Sequence, residues 1–236
     1  MPKAFRNLDA ASSRAHFMAV KTLLLLITIS LANFASAQEA LTRVPVRNIV
    51  PIEVKQRAQA AVQAVMDQTI RGDFQAALDS MNPEFVKVIS RAVGGPQKYR
   101  KSILKMMNEM GQNGVTFQAA ITLAADTAFE VDYGFTQKIV NGKVVKEPGY
   151  RQWMVFVPTV KDFQVVAPDS EPREIRKFRK WSFEVAISPK EDEGWTFIGG
   201  DSITALQLRK LFPFLPKEDE ELKFPAKKIE EITKKK

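Results

Sequence analysis

Residues 99–140 read YRKSILKMMNEMGQNGVTFQAAITLAADTAFEVDYGFTQKIV, and a single change of period inside this stretch decides the fold class. Before Gly111, the apolar residues Tyr99, Ile103, Met106, Met107 and Met110 recur three or four apart, which marks one face of a helix. After Gly114 the period becomes two. Phe129, Val131, Tyr133, Phe135 and Ile139 alternate with Glu130, Asp132, Thr136 and Lys138, the pattern of a strand with one buried face. Helical spacing on one side of the switch and strand spacing on the other predict an α+β domain, not an alternating βαβ one.

Working towards the amino terminus, the helical pattern persists. Val54, Ala58, Ala61, Val62, Val65 and Ile70 give a helix from Glu53 that Gly72 closes, and residues 38–52 read as an extended lead-in. Asp73 caps a second helix through Met81, and Asn82-Pro83 is an N-cap and first-turn pair for a third that runs to about Ala92. Gly94-Gly95-Pro96 breaks the chain before the fourth.

Towards the carboxyl terminus the strands continue. Asn141-Gly142 is a hairpin turn, and Trp153–Val160 is apolar on both parities, as a central strand requires. Residues 167–174, with Pro168 and Pro172, form a loop. Trp181, Phe183, Val185 and Ile187 share one face of the next strand, and Trp195–Gly200 is its partner. Ser202 caps a short closing helix through Phe212. The expected architecture is a set of N-terminal helices on one face of a strongly curved antiparallel sheet, with a short C-terminal helix. The domain spans 53–213, and residues 214–236, rich in Lys and Glu, form a charged flexible tail.

The first 37 residues follow a different plan. Arg6, Arg14 and Lys21 precede an apolar run from Leu23 to Ala32, and Ala35-Ser36-Ala37 offers small residues for signal-peptide cleavage. That run is shorter than the roughly 20 residues of a bilayer span. The expectation is an exported protein, periplasmic or secreted, with no transmembrane segment after cleavage. A compact signal could also begin at Met18.

Removal of residues 1–37 takes away four basic residues and one acidic one, so the formal charge falls from +8 to +5. It also removes His16, the one histidine, and the chain has no cysteine. Disulfides, Ser-His-Asp or Cys-His machinery, ordinary zinc sites and histidine-held haem are thereby excluded from residues 38–236. No metal or cofactor is expected. A nucleic-acid footprint, a basic face with stacking aromatics, is not expected either.

The helix end Ile70-Arg71-Gly72-Asp73-Phe74-Gln75-Ala76-Ala77-Leu78-Asp79, with the terminal pair Ser182–Ala186 and Gly194-Trp195-Thr196-Phe197-Ile198-Gly199-Gly200, resembles the nuclear transport factor 2-like superfamily, also called SnoaL-like or cystatin-like. The resemblance covers about residues 53–200. It implies a cone-shaped cavity between a curved sheet and helices, in a superfamily that holds isomerases, dehydratases, cyclases and inert binding domains. It also implies dimerisation through the open sheet face.

An isomerase-type site there would need an acid and a tyrosine in one apolar cavity. Asp126, Asp132, Tyr133, Glu184 and Asp201 are the groups near the sheet, with Asp132, Tyr133 and Asp201 the catalytic candidates. Parity separates Tyr133 from Asp132 and Glu184, so a core tyrosine and solvated acids are the simpler reading. Trp153, Trp181 and Trp195 stand at core parity positions. Tyr133, Trp153, Trp181 and Met107 are the candidate ligand-binding residues. Arg173, Arg176, Lys177, Arg179 and Lys180 form the densest basic cluster, and Gly199-Gly200-Asp201 lacks the spacing of a phosphate loop. Three functions stay open: a non-catalytic domain binding a small apolar molecule or a protein partner, a second copy included; an isomerase-type enzyme using Asp132 or Asp201 with Tyr133; or a structural module of the cell envelope.

Overall fold

The computed structural model describes residues 49–166, 174–192 and 194–232, the side chain of Lys138 excepted. The expected signal peptide, most of the expected lead-in, the loop at 167–173 with Arg173, Glu193 and the last four residues lie outside the described residues.

The α+β expectation holds, with the helices first and an open antiparallel sheet after them. Helix α1 (Ile52–Ile70) ends where Arg71 and Gly72 turn the chain, Gly72 at φ +86°. Asp73 accepts from the Ala76 N–H and starts α2 (Phe74–Asp79); Asn82 accepts from the Phe85 N–H and starts α3 (Pro83–Ile89). A 3₁₀ turn over Ser90–Val93 leads to α4 (Pro96–Gln112). These caps are the ones the side-chain chemistry dictates, since each satisfies a backbone donor that the first turn leaves unpaired.

The strands are β1 (Val115–Thr122), β2 (Ala128–Val140), β3 (Lys143–Val166), β4 (Ile175–Pro189), β5 (Thr196–Gly199) and β6 (Lys228–Glu231). Long β3 is the axis. It pairs with β4 along one edge, while β1 and then β2 share the other; β5 and β6 share the outer edge of β4. The β2–β3 hairpin turns at Asn141 and Gly142, both with positive φ (51° and 74°), as a right-twisted hairpin demands. A register shift between Phe117 and Ala119 bulges β1, a feature that bends a strand.

Four consecutive β3 residues, Met154 to Val157, are fully buried, so both faces of the sheet are covered. On the first face Val155, Val157, Ala186 and Phe197 meet Val54, Ala58, Val62 and Met66 of α1. On the second, Met154, Phe156, Phe183, Val185, Ile187 and Ile198 meet Leu208, Phe212, Leu215 and Leu222.

The second layer corrects three expectations. Helices do not cover one face alone. The closing helix, α5 (Ala205–Leu211), is capped by Thr204 in a reciprocal capping box with Gln207, not by Ser202. The chain beyond Pro213 is not a solvated tail as far as it is described. It contains α6 (Asp219–Leu222), Leu222 is fully buried, Phe224 stacks on Phe183 at 5.3 Å, and β6 pairs with Phe178–Trp181 of β4.

The β2 pattern also overstates its buried face. Val131 is buried, but Tyr133, Phe135 and Ile139 are exposed, because the far half of the β2–β3 hairpin extends past β4 and the layers that cover the sheet. Glu130, on the parity expected to be solvated, is 1% exposed and paired with Lys190, which also lies 4.3 Å from the Trp153 ring centre. No described helix is long and apolar enough to cross a membrane.

Candidate functional site

On the first face an apolar hollow opens between the C-terminal half of α1 and the sheet. Three backbone features set its walls. Val62, Val65, Met66, Thr69 and Ile70 lie on successive turns of α1 and face the sheet. The α2–α3 connection is tied to β5: the Phe197 N–H donates to Ser80 O, the Asn82 N–H donates to Phe197 O, and the Asn82 side chain reaches Thr196 Oγ1 at 3.0 Å. That tie brings Ala77, Ser80 and Met81 to the rim. Phe117 and Ala120 of β1, and Met107 of α4, complete the wall.

The hollow has a volume of about 240 Å³, below the roughly 300–1,000 Å³ of drug-sized sites. A second hollow of about 110 Å³ continues from it past Phe74, Met110 and Val115, sharing Thr69, Ile70, Met107 and Phe117.

One charged pair enters this apolar wall. Lys161 of β3 and Glu184 of β4 share the first face with Val157 and Ala186, and Lys161 Nζ donates to Glu184 Oε1 at 2.9 Å. The side chains are only 27% and 18% exposed. Taking two charges out of water is costly unless they are paired, so each fixes the other in place. The polar remainder is small. Thr69 and Ser80 donate their hydroxyls to Val65 O and Ala77 O of their own helical turns. Next to Lys161 on the same face lie Thr159, whose buried hydroxyl has no protein partner, and Lys180, its register neighbour across β4.

The residues singled out from the sequence scatter around this hollow. Met107 lines it; Met106 is exposed, and Met110 belongs to the smaller extension. Tyr133 lies on the second face, edge-on to Tyr150 and Phe214 at 5.2 and 5.6 Å. Trp153 and Trp195 pack half-buried on the first face. Trp181 lies on the second face beside Ile121 and Val160, with Lys228 5.2 Å from its ring. The expected ligand-binding set of Tyr133, Trp153, Trp181 and Met107 is therefore not one site.

The acids are equally dispersed. Asp132, at φ +60°, accepts from Arg151 at 2.7 Å, and that bond with the carboxylate's charge raises the Arg151 pKa. Asp201 pairs with Lys180 at 2.6 Å and accepts from Ser182. Burial pushes the Asp201 carboxyl up, but the Lys180 bond and charge, Ser182 and nearby Lys227 outweigh it and leave its pKa lowered. Asp126 is exposed, its carbonyl accepting from Lys55. Glu184, expected to be solvated, instead lines the hollow. Among the described residues, none of Asp126, Asp132, Glu184 and Asp201 shares a hollow with Tyr133. Of the basic cluster, Arg176 pairs with Glu231, Arg179 with Asp162 and Lys180 with Asp201. Among the described residues, no three of His, Cys, Asp and Glu come together.

Lys161 escaped sequence reasoning, although it carried a signal. It follows Val155, Val157 and Thr159 at the same parity, so it is a lone cation on a face that is otherwise apolar or small. Glycine at 199 leaves room on the other side: a Cβ there would meet Glu184 Oε2 at 3.6 Å. Compared with protein-family models, with curated proteins and with solved structures, the chain gives no match.

Proposed function

We propose that this chain is an exported, non-catalytic domain of nuclear transport factor 2-like type that holds a small apolar molecule between α1 and the first face of its sheet. The observation that carries the reading is the 240 Å³ hollow, whose walls are apolar except for the Lys161–Glu184 pair and two hydroxyls that bond to their own helices. Concave, mostly apolar sites with a few placed polar groups are where small molecules bind. The order of helices and sheet supports the family reading, and the leader at residues 1–37 supports export.

Enzymatic acid-base work is the less supported alternative. It needs an acid and a tyrosine within hydrogen-bonding reach of one substrate atom, whereas Tyr133 and the hollow lie on opposite faces of the sheet.

Thermal and chemical unfolding of the purified protein with and without 1-octanol tests the binding reading. Ligand at one hundred times its dissociation constant stabilises by about 2.7 kcal/mol. Ala120→Trp, which fills the hollow from β1, should abolish that gain while leaving the protein folded. Equal octanol effects on both proteins would mean that the molecule binds elsewhere, and no effect on either would count against the reading.

A further inference from the structure

The chemistry of the wall also selects among apolar ligands, granted the binding reading above. Of the polar side chains in the hollow, Thr69 and Ser80 spend their hydroxyl protons on helix carbonyls. Glu184 accepts from Lys161 through Oε1. Lys161 carries three N–H donors, and Glu184 is its one protein partner among the described residues. The unspent donor capacity of the site is therefore concentrated at one ammonium.

The neighbouring ammonium groups are committed elsewhere. Lys180, the direct cross-strand neighbour of Lys161, pairs with Asp201, and Lys227 stands over the Phe183 ring of the second face while bonding the carbonyl of Gly200. An incoming anion would meet the spare donors of Lys161, whereas an incoming cation would have to compete with Lys161 for Glu184.

We infer that the ligand is a small amphipathic monocarboxylate, its apolar body lying along α1 from Val62 to Ile70 and its carboxylate bound by Lys161. Those residues span about 12 Å of helix, enough for a short hydrocarbon chain. Charge-assisted hydrogen bonds of this kind are about twice as strong as neutral ones, and more so with water partly excluded. No bond is made or broken, and Lys161 shares its protons between Glu184 and the ligand.

The test is isothermal titration of the purified protein with three probes of equal length: octanoate, 1-octanol and octylammonium. Octanoate should bind at least about tenfold more tightly than octanol, and octylammonium more weakly than either. Glu184→Gln should strengthen octanoate binding severalfold by releasing Lys161. Because Lys161→Met alone would strand Glu184, the second variant is the pair Lys161→Met with Glu184→Gln, in which the ratio of octanoate to octanol affinity should fall to about one. Octanol binding as tightly as octanoate would overturn the carboxylate inference and leave the pocket intact. A preference for octylammonium would overturn it in favour of Glu184 as the anchor. Failure of all three probes would overturn the parent reading together with this one.

Discussion

Gly200 sits where no side chain fits. A Cβ there would lie 2.6 Å from the Phe183 carbonyl oxygen and 2.8 Å from two carbons of its ring, and Phe183 is itself fully buried. Gly200→Ala should therefore cost about 1–3 kcal/mol by overpacking, measured by urea unfolding. Gly72 makes the control: it has no atom within 4 Å of its missing Cβ, and only its φ of +86° resists a side chain. Gly72→Ala should cost about 1 kcal/mol. Lys190 presents a different residue-scale cost. It holds the buried Glu130, so Lys190→Met should destabilise by about 3 kcal/mol, more than the loss of an exposed ion pair.

Asp201 gives the pH dependence. Its folded pKa is lowered below the ordinary carboxylate value of 3.8, so it contributes stability that is fully present above that value and is lost as pH falls through the lower folded one. The acid limb of a stability–pH curve should flatten in Asp201→Asn. None of these roles was legible from residue identity. Gly199-Gly200-Asp201 could be read only as lacking a phosphate-loop spacing, and Glu130 and Glu184 were placed in solvent by parity. Both acids in fact enter the first face beside a lysine, and a period-two pattern cannot distinguish a solvated acid from a buried one with a partner.

At the level of elements, the helix caps and the hairpin turn were plain in the sequence, because Asp73, Asn82-Pro83 and Asn141-Gly142 act on their own backbone neighbours. The central position of β3 was plain too, from its apolar residues on both parities. What covers its second face was not. Leu222 and Phe224 stand singly among charges and a proline, with no period to betray them, and only packing against the second-face core, Phe183 and Phe156 included, gives them a role. Leu222→Ala, in a helix of four residues, should accordingly cost about 2–5 kcal/mol, the loss expected of a core leucine. A solvated tail would tolerate the change. By contrast β6 is exposed throughout, so Glu231→Gln, which weakens its link to Arg176, should change stability little.

Over residues 49–232 the sheet lies between two layers. The second face packs Phe156, Phe183 and Phe224 against one another and opens a hollow of about 380 Å³ beside Val160 and Trp181, whereas the first is covered over the N-terminal half of α1 and left hollow over its C-terminal half. The proposed function rests on the first-face hollow, the one that α1 roofs and the Lys161–Glu184 pair enters. The methionines report on both faces. Met66, Met81 and Met107 line the hollow, Met154 is buried on the opposite face, and Met106 is exposed on α4. The most direct measurement is a methyl NMR titration of the purified, methionine-labelled protein with octanoate. Shifts at Met66, Met81 and Met107, with Met154 and Met106 unmoved, are the predicted result; shifts confined to other methionines, or none at saturating ligand, would contradict a binding site on this face.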